Sequence, residues 1–318
     1  MREAIISFPM FGENFAIDPP YCLNLGSFCV YFYGIIIACG LLLAIAYGVK
    51  VGPKRLDIQA DTIYDLVIWA VIAAIICARL YYCIFNWQSY AADPAKILAI
   101  RDGGLAIYGG VIGAILALWI RCRMKGWSIF PALDVMSFGL FIGQSIGRWG
   151  NFFNREAFGY ETDIFCRMGL SLNGSTIYVH PTFLYESLWN AFGFIAMHFY
   201  SKKHRKYKGQ FFLLYVFWYG LGRAMIEGLR SDSLWLIPDI IRVSQLLAAV
   251  TCVLALAVYI INARRIKVGR SPIFGQSLDG DKIDDIMDGE KETPAEAAPE
   301  SEAEGDNMET YTGNETQE

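Results

Sequence analysis

Seven apolar runs of roughly 18 to 22 residues, the length a helix needs to cross about 30 Å of hydrocarbon, fall near 28–49, 64–86, 104–123, 132–149, 181–200, 209–228 and 242–262. They predict seven transmembrane helices. The mixed segment before them, residues 1–27, contains Pro19-Pro20, which breaks any helix, and reads as a short ordered arm outside the membrane. From Ser271 the sequence turns abruptly to Glu, Asp, Ala, Pro, Ser and Thr. Such a segment buries too little surface to offset its ordering entropy, so residues 271–318 are expected to form a disordered acidic tail. The expectation is an all-α polytopic membrane protein with an arm (1–27), a helical domain (28–270) and a tail (271–318).

Composition agrees with the pattern, since 55% hydrophobic and only 18% charged residues are too apolar a mixture for a soluble chain of this length. The first residues have no basic start followed by a short apolar core and a small-residue cleavage site, so no removable signal peptide is expected. Basic residues divide unevenly between alternate connections. One set holds Lys50, Lys54 and Arg55, then Arg121, Arg123 and Lys125, then the cluster from Lys202 to Lys208, then Arg264, Arg265, Lys267 and Arg270. The other holds only Arg2, Lys96, Arg101, Arg155, Arg167, Arg230 and Arg242. That asymmetry places the N-terminus outside and the C-terminus in the cytoplasm. The eight cysteines form no C-x-x-C pair and no zinc spacing. Most are read as small hydrophobes within apolar runs; Cys22 and Cys166 are the two expected on the outer face. Nothing points to a metal, a cofactor or a nucleic-acid partner.

Once oriented, the helices bring their polar residues toward one face. Tyr33, Arg79, Tyr108, Arg148, Asn151, His180, Tyr185, Glu186, Arg223, Glu227, Arg242 and Gln245 all fall toward the outer half. Arginine in a membrane is costly unless something anionic needs it. Arg79, Arg148 and Arg223 outnumber Glu186 and Glu227, so a phospholipid phosphate is the natural third party, and the planar guanidinium suits it. Arg148 stands out, with Asn151, Asn154 and Glu156 beside it. Blander readings exist for the others. Arg79 is close enough to the boundary to snorkel, and Arg223 and Glu227 have the i, i+4 spacing of an intrahelical ion pair. Gly104, Gly109, Gly110 and Gly113 either let helices pack closely or leave room for an acyl chain or glycerol unit.

The stretch Gly147-Arg148-Trp149-Gly150-Asn151-Phe152-Phe153-Asn154-Arg155-Glu156, closed by Gly159, resembles the signature of the prolipoprotein diacylglyceryl transferase family at every defined position. Four further blocks resemble the same family in order and spacing. They are Phe32-Tyr33-Gly34, the glycine-rich run Gly103 to Gly113, His180-Pro181-Thr182-Phe183-Leu184-Tyr185-Glu186, and Arg223-Ala224-Met225-Ile226-Glu227-Gly228-Leu229-Arg230. The resemblance implies a bacterial cell-membrane enzyme that moves an sn-1,2-diacylglyceryl group from phosphatidylglycerol to the lipobox cysteine at a prolipoprotein signal peptide. Its products are a thioether and glycerol 1-phosphate, and its site faces outward among membrane lipids. It implies catalytic roles for Arg148, Arg223 and Tyr108. Substrate contacts are implied for Arg148, Asn151, Asn154, Glu156, Gly159, Tyr33, Glu227, Gly109, Gly110, His180 and Tyr185.

The sequence departs from the family at one point: Tyr108 stands where a histidine often precedes the paired glycines. A phenol ionises near pH 10, which suits hydrogen-bond donation better than proton abstraction. Of the three histidines only His180 lies on the outer side, where it either acts on substrate or fixes the turn into Pro181. An anion transporter is the alternative, but such proteins place their site near the midplane between internal repeats, and no convincing repeat is found. An intramembrane protease lacks its paired aspartates, its Ser-His arrangement or H-E-x-x-H here.

Overall fold

The computed structural model describes residues 4–12, 15–25, 28–91, 93–100, 103–231, 235–237 and 241–278. Among the described residues, seven long helices and one single turn follow the apolar runs: α1 (Phe32–Val51), α2 (Ala60–Phe85), the single turn α3 (Trp87–Tyr90), α4 (Ile107–Lys125), α5 (Ile129–Asn154), α6 (Thr182–Tyr200), α7 (Gln210–Ile226) and α8 (Val243–Lys267). Five of these, α1 with the π-helical turn Gly52–Leu56 that extends it, α2, α4, α5 and α8, are long and apolar enough to cross a membrane. Of the remaining two, α7 is shorter than any of the five, at 17 residues, while α6 has the same 19 residues as α4; α6 buries Glu186, Ser187 and Asn190, and α7 buries Gln210. The architecture is that of a mostly helical, polytopic membrane protein.

Helix α5 is the central element. It starts three residues earlier than the apolar run suggests, because Pro131 sits in its first turn, where a missing N–H leaves no hydrogen bond unmade. It ends where Arg155 takes a left-handed backbone conformation (φ 49°). Along its length it packs on α1, α6 and α7, and Phe138 and Phe141 are fully enclosed among them. Helices α6 and α7 are locked by Trp189 and Trp218, whose rings stack at 4.5 Å while each indole N–H donates to the other residue's carbonyl at 3.0 Å. Helices α2 and α4 form a second close pair. A Cβ on Gly109 would stand 2.4 Å from the Cys77 carbonyl oxygen and one on Gly113 2.6 Å from that of Ala73, so only glycine permits this approach.

The structure corrects five expectations. First, the chain is not all-α. A four-stranded antiparallel sheet joins Ala16–Ile17, Ile5–Ser7, Met168–Leu172 and Ser175–Val179, pinning the N-terminal arm to the connection after α5. Arg155 fastens that arm, donating to the Ala4 carbonyl at 2.9 Å and to Asp18 at 2.5 Å.

Second, Phe28–Tyr31, expected at the start of the first helix, is a strand paired with Cys22–Leu25. Cys29, read as a membrane-embedded thiol, forms a disulfide with Cys22 across that hairpin.

Third, the tail does not begin at Ser271. Gln276–Ser277 pairs with Tyr207–Lys208, Phe274 packs on Phe130 and Phe212, and Asn262 bonds the Ile273 N–H and the Phe274 carbonyl. The strand pairing, the Phe274 ring contacts and the two Asn262 hydrogen bonds fasten this segment to the helical domain; the acidic sequence after Leu278 lies outside the described residues.

Fourth, charge within the helices is not confined to one half. At the end opposite Arg148, Asp65 and Arg121 pair across α2 and α4 at 2.7 Å. Asp134 there is fully buried and accepts from the Gly209, Phe211 and Phe212 N–H groups at the start of α7.

Fifth, Arg79 neither snorkels nor joins an anion site. It is 5% exposed and donates to the carbonyls of Lys96, Ile97, Ala99, Gly103 and Gly104 at 2.6–3.2 Å. It is the internal scaffold of the connection into α4, gathering carbonyls from the 3-10 turn Pro94–Leu98 and from the extended segment after it around one guanidinium.

Candidate functional site

The C-terminal end of α5, the N-terminal end of α6 and the C-terminal end of α7 meet at one end of the bundle. Antiparallel packing of α5 on α6 and of α6 on α7 brings them together there. Ser187 fixes the first contact: its hydroxyl donates to the Ser145 carbonyl at 2.8 Å and accepts from the Trp149 indole at 3.2 Å. That clamp sets α5 in register with α6, so that Arg148 faces Glu186.

Glu186, 4% exposed, is the hub. Its Oε2 lies 2.5 Å from Arg148 Nη2, and its Oε1 takes Arg223 Nη1 at 3.2 Å and Arg230 Nη1 at 3.1 Å. Arg223 reaches back along its own helix to Glu227 at 2.7 Å. The ordinary i, i+4 pair is therefore real, but it is one arm of a larger network. Arg242 adds a fourth guanidinium, donating to the Glu227 carbonyl and resting 4.7 Å over the Trp235 ring and 5.7 Å over that of Tyr160. Among the described residues, four guanidinium groups (Arg148, Arg223, Arg230 and Arg242) are set around the two buried carboxylates of Glu186 and Glu227, so the cluster is rich in cations in a largely desolvated place. The arrangement is chemically suited to an anion, with guanidinium forks already aimed by a shared carboxylate.

Beside Arg148 lies a more open polar rim. Arg148 Nη1 is 3.5 Å from the Asn151 Oδ1, and the side-chain amides of Asn151 and Asn154 both donate to Glu156 Oε1, at 3.0 and 3.2 Å. Tyr33 lies within electrostatic reach of Arg148 and Glu156, its ring so close to Gly150 that a Cβ there would come within 2.7 Å. Gly159 belongs to the framework that seats the arginines. Its N–H donates to the His180 carbonyl at 2.9 Å and it bridges to Arg230. A Cβ on it would stand 2.6 Å from both the Leu229 oxygen and His180 Cβ. Through this one residue the loop after α5 ties the start of α6 to the arginine block after α7.

Other residues expected in the site sit further out. His180 Nδ1 is 3.3 Å from the Tyr185 hydroxyl, which in turn is 3.5 Å from the Cys166 thiol; partial burial holds the imidazole's pKa below its ordinary value. Gly109 and Gly110 face α2. Tyr108, at the start of α4, is 45% exposed and makes no hydrogen bond among the described residues. Arg230 is the member of the charged cluster that the sequence reading left among the connections. It lies seven residues past Arg223, beyond the end of α7, and only the 3-10 turn Glu227–Leu229 swings it back to Glu186.

Over residues 20–261 the chain matches the family model described as prolipoprotein diacylglyceryl transferase. It is 43% identical over 258 residues to the phosphatidylglycerol–prolipoprotein diacylglyceryl transferase of Limosilactobacillus reuteri, across 77% of this chain and 92% of the relative. Relatives of the same name in Pediococcus pentosaceus (42% over 257 residues, 78% of this chain and 91% of theirs) and Bacillus licheniformis (42% over 258 residues, 77% and 94%) are similar to the same degree.

Proposed function

The chain belongs to the prolipoprotein diacylglyceryl transferase family, and on that premise we propose how it carries a diacylglyceryl group from phosphatidylglycerol to a prolipoprotein. It is a transferase of the first step in lipoprotein maturation. In this proposal it spans a bacterial cell membrane seven times, with the N-terminus outside and the C-terminus in the cytoplasm. The Arg148 site then opens to the extracytoplasmic face. The basic connections Lys202–Lys208 and Arg264–Arg270 support that orientation.

The observation that carries the chemical reading is the convergence of Arg148, Arg223 and Arg230 on Glu186. The acceptor is the lipobox cysteine thiol. Its sulfur bonds to the glyceryl carbon, the bond from that carbon to the phosphate oxygen breaks, and the electron pair leaves on glycerol 1-phosphate. The thiol proton passes to solvent or to the departing phosphate. A thiol ionises near pH 8.5, and clustered guanidinium groups favour the thiolate. A phosphodiester with one charge becomes a monoester that gains a second, so cations fixed at the phosphate stabilise the transition state more than the ground state.

Arg148 and Arg223 grip the phosphate, while Glu186 and Glu227 hold the guanidinium planes. Asn151 and Asn154, kept in place by Glu156, bond glycerol hydroxyls or phosphate oxygens. Tyr33, Tyr108, His180 and Tyr185 line the approach, with Tyr108 donating a hydrogen bond. Gly109, Gly110 and Gly159 act by allowing close packing.

The test is a gel-shift assay with purified full-length protein, phosphatidylglycerol vesicles and a lipobox peptide. Replacing Arg223 by Gln is expected to lower turnover by about 10²–10³, as for loss of one preorganised charge-stabilising donor. Lipidation at the unmodified rate would remove the phosphate-clamp assignment.

A further inference from the structure

The half of the bundle away from the arginines contains a cavity of about 280 Å³ bounded by α5, α6, α7 and α8. Its walls are apolar: Phe141, Met197, Leu214, Phe217 and Trp218, with Ala196 at the exposed outer edge. Apolar walls of this kind gain dispersion contacts from a hydrocarbon seated against them, and a membrane surrounds them with hydrocarbon. The volume lies just below the roughly 300–1,000 Å³ of clefts that hold drug-sized ligands, room for part of one hydrocarbon chain and no head group.

The far end of the cavity is polar. Tyr200 and Tyr259 both line it, and their hydroxyls meet at 3.0 Å. Just beyond that pair, where α6 stops and α8 runs out of the bundle, Lys202, Lys203, Arg264 and Lys267 are all exposed. None of them takes part in an ion pair among the described residues. Arg205, by contrast, is committed to Asp57 and Asp134.

We propose that the cavity seats one acyl chain of an anionic phospholipid from the leaflet beside the basic connections, with its phosphate on Lys202, Lys203 and Arg264. An apolar slot ending in hydroxyls and then in exposed cations, of which Lys202 rests 4.6 Å over the Phe199 ring, matches the order of parts in such a lipid, read from chain to ester to phosphate. Cationic surfaces between helices on this side of a membrane attract anionic head groups. The site needs the helices to span a membrane; it does not use the transferase assignment or the Arg148 cluster.

The experiment places the full-length protein in phosphatidylcholine vesicles containing phosphatidylserine with a photoactivatable diazirine in its acyl chain, then maps cross-links by peptide mass spectrometry. Met197, Leu214 and Phe217 are expected to be labelled about fivefold more by this lipid than by phosphatidylcholine with the same chain, the ratio that one lysine at an anionic surface supplies. Ala196→Trp, which fills the slot, should abolish that labelling. Lys202→Gln with Lys203→Gln and Arg264→Gln should erase the head-group preference, and both variants should keep the parent's lipidation rate. Equal labelling by the two lipids, or labelling of the slot no stronger than of the lipid-facing surfaces of α1 and α2, would overturn the proposal. If Ala196→Trp fails to fold, Leu214→Trp blocks the same slot from α7.

Discussion

Arg148 and Glu186 approach to 2.5 Å on a carboxylate that Arg223 and Arg230 also hold. Three guanidinium groups have therefore been brought together by one buried acid, and the acid is what makes their proximity tolerable. Replacing Glu186 by Gln keeps the shape and removes the charge. The expected result is about 3–5 kcal/mol of lost stability, the usual cost of breaking a buried pair from one side. It would be read as a fall in the thermal midpoint of detergent-solubilised protein together with loss of lipidation. A variant with unchanged midpoint and rate would show that the arginines do not depend on this carboxylate.

Arg148 makes two separate engagements, Nη2 on Glu186 and Nη1 toward Asn151, which a single ammonium cannot reproduce. Arg148→Lys is therefore expected to behave as a near-null for turnover, losing about 10²-fold or more, with little change in folding. The decisive comparison is kcat against KM for phosphatidylglycerol. A rise in KM alone, at full kcat, would assign Arg148 to lipid capture and not to the transition state.

The sequence made the helices legible because a hydrocarbon core leaves few alternatives: backbone polar groups must be satisfied within each span. Arg148, Asn151 and Glu156 were legible for the same reason, since a charge in such a run needs an explanation. What could not be read were contacts across long chain separations. Arg79 looked like an anion-binding cation because the connection whose carbonyls it satisfies has no periodicity of its own. Arg230 was hidden by a turn, Cys29 by a hairpin inside an apolar run, and Asp134 by its partners some 75 residues downstream. Each is a residue whose partner is fixed by topology and not by spacing.

Gly159 sits where three segments cross, with the Leu229 oxygen and His180 Cβ both 2.6 Å from where a Cβ would be. Gly159→Ala must push the segment carrying Arg230 away from the start of α6. Overpacking of this kind costs typically 1–3 kcal/mol. Lipidation should fall more than the thermal midpoint does, because Arg230 moves relative to Glu186 while the helices stay packed. Equal loss in both measurements would mean the glycine serves the fold alone.

His180, outside the helices, has its pKa held below the ordinary imidazole value by burial, which disfavours the charged ring. The unfolded chain therefore takes up a proton first as pH falls below about 6.5. In that window the unfolded state binds more protons, so stability rises with pH and is lost on acidification. Thermal midpoints measured downward from pH 7.5 should decline below that point in the parent. The decline should be shallower in His180→Gln, which has no proton to gain. Parallel curves for the two proteins would exclude His180 as the source of acid sensitivity.

Asp134 offers the sharpest separation of fold from function. It is fully buried at the end away from the arginines, where one carboxylate oxygen accepts from the Gly209 N–H at 2.9 Å and the other from Phe211 at 2.9 Å and Phe212 at 3.1 Å. It thus caps the positive end of α7 from another helix. Asn at this position can keep an oxygen on one side only, leaving its amide facing a backbone donor in a buried place. The expected cost is about 1–3 kcal/mol, seen as a lowered thermal midpoint. The cap is at the far end of α7 from Arg223, so the protein that remains folded at low temperature should lipidate at the parent's rate per folded molecule. A loss of turnover without a loss of stability would contradict this and would mean that the N-terminal end of α7 controls where Arg223 sits.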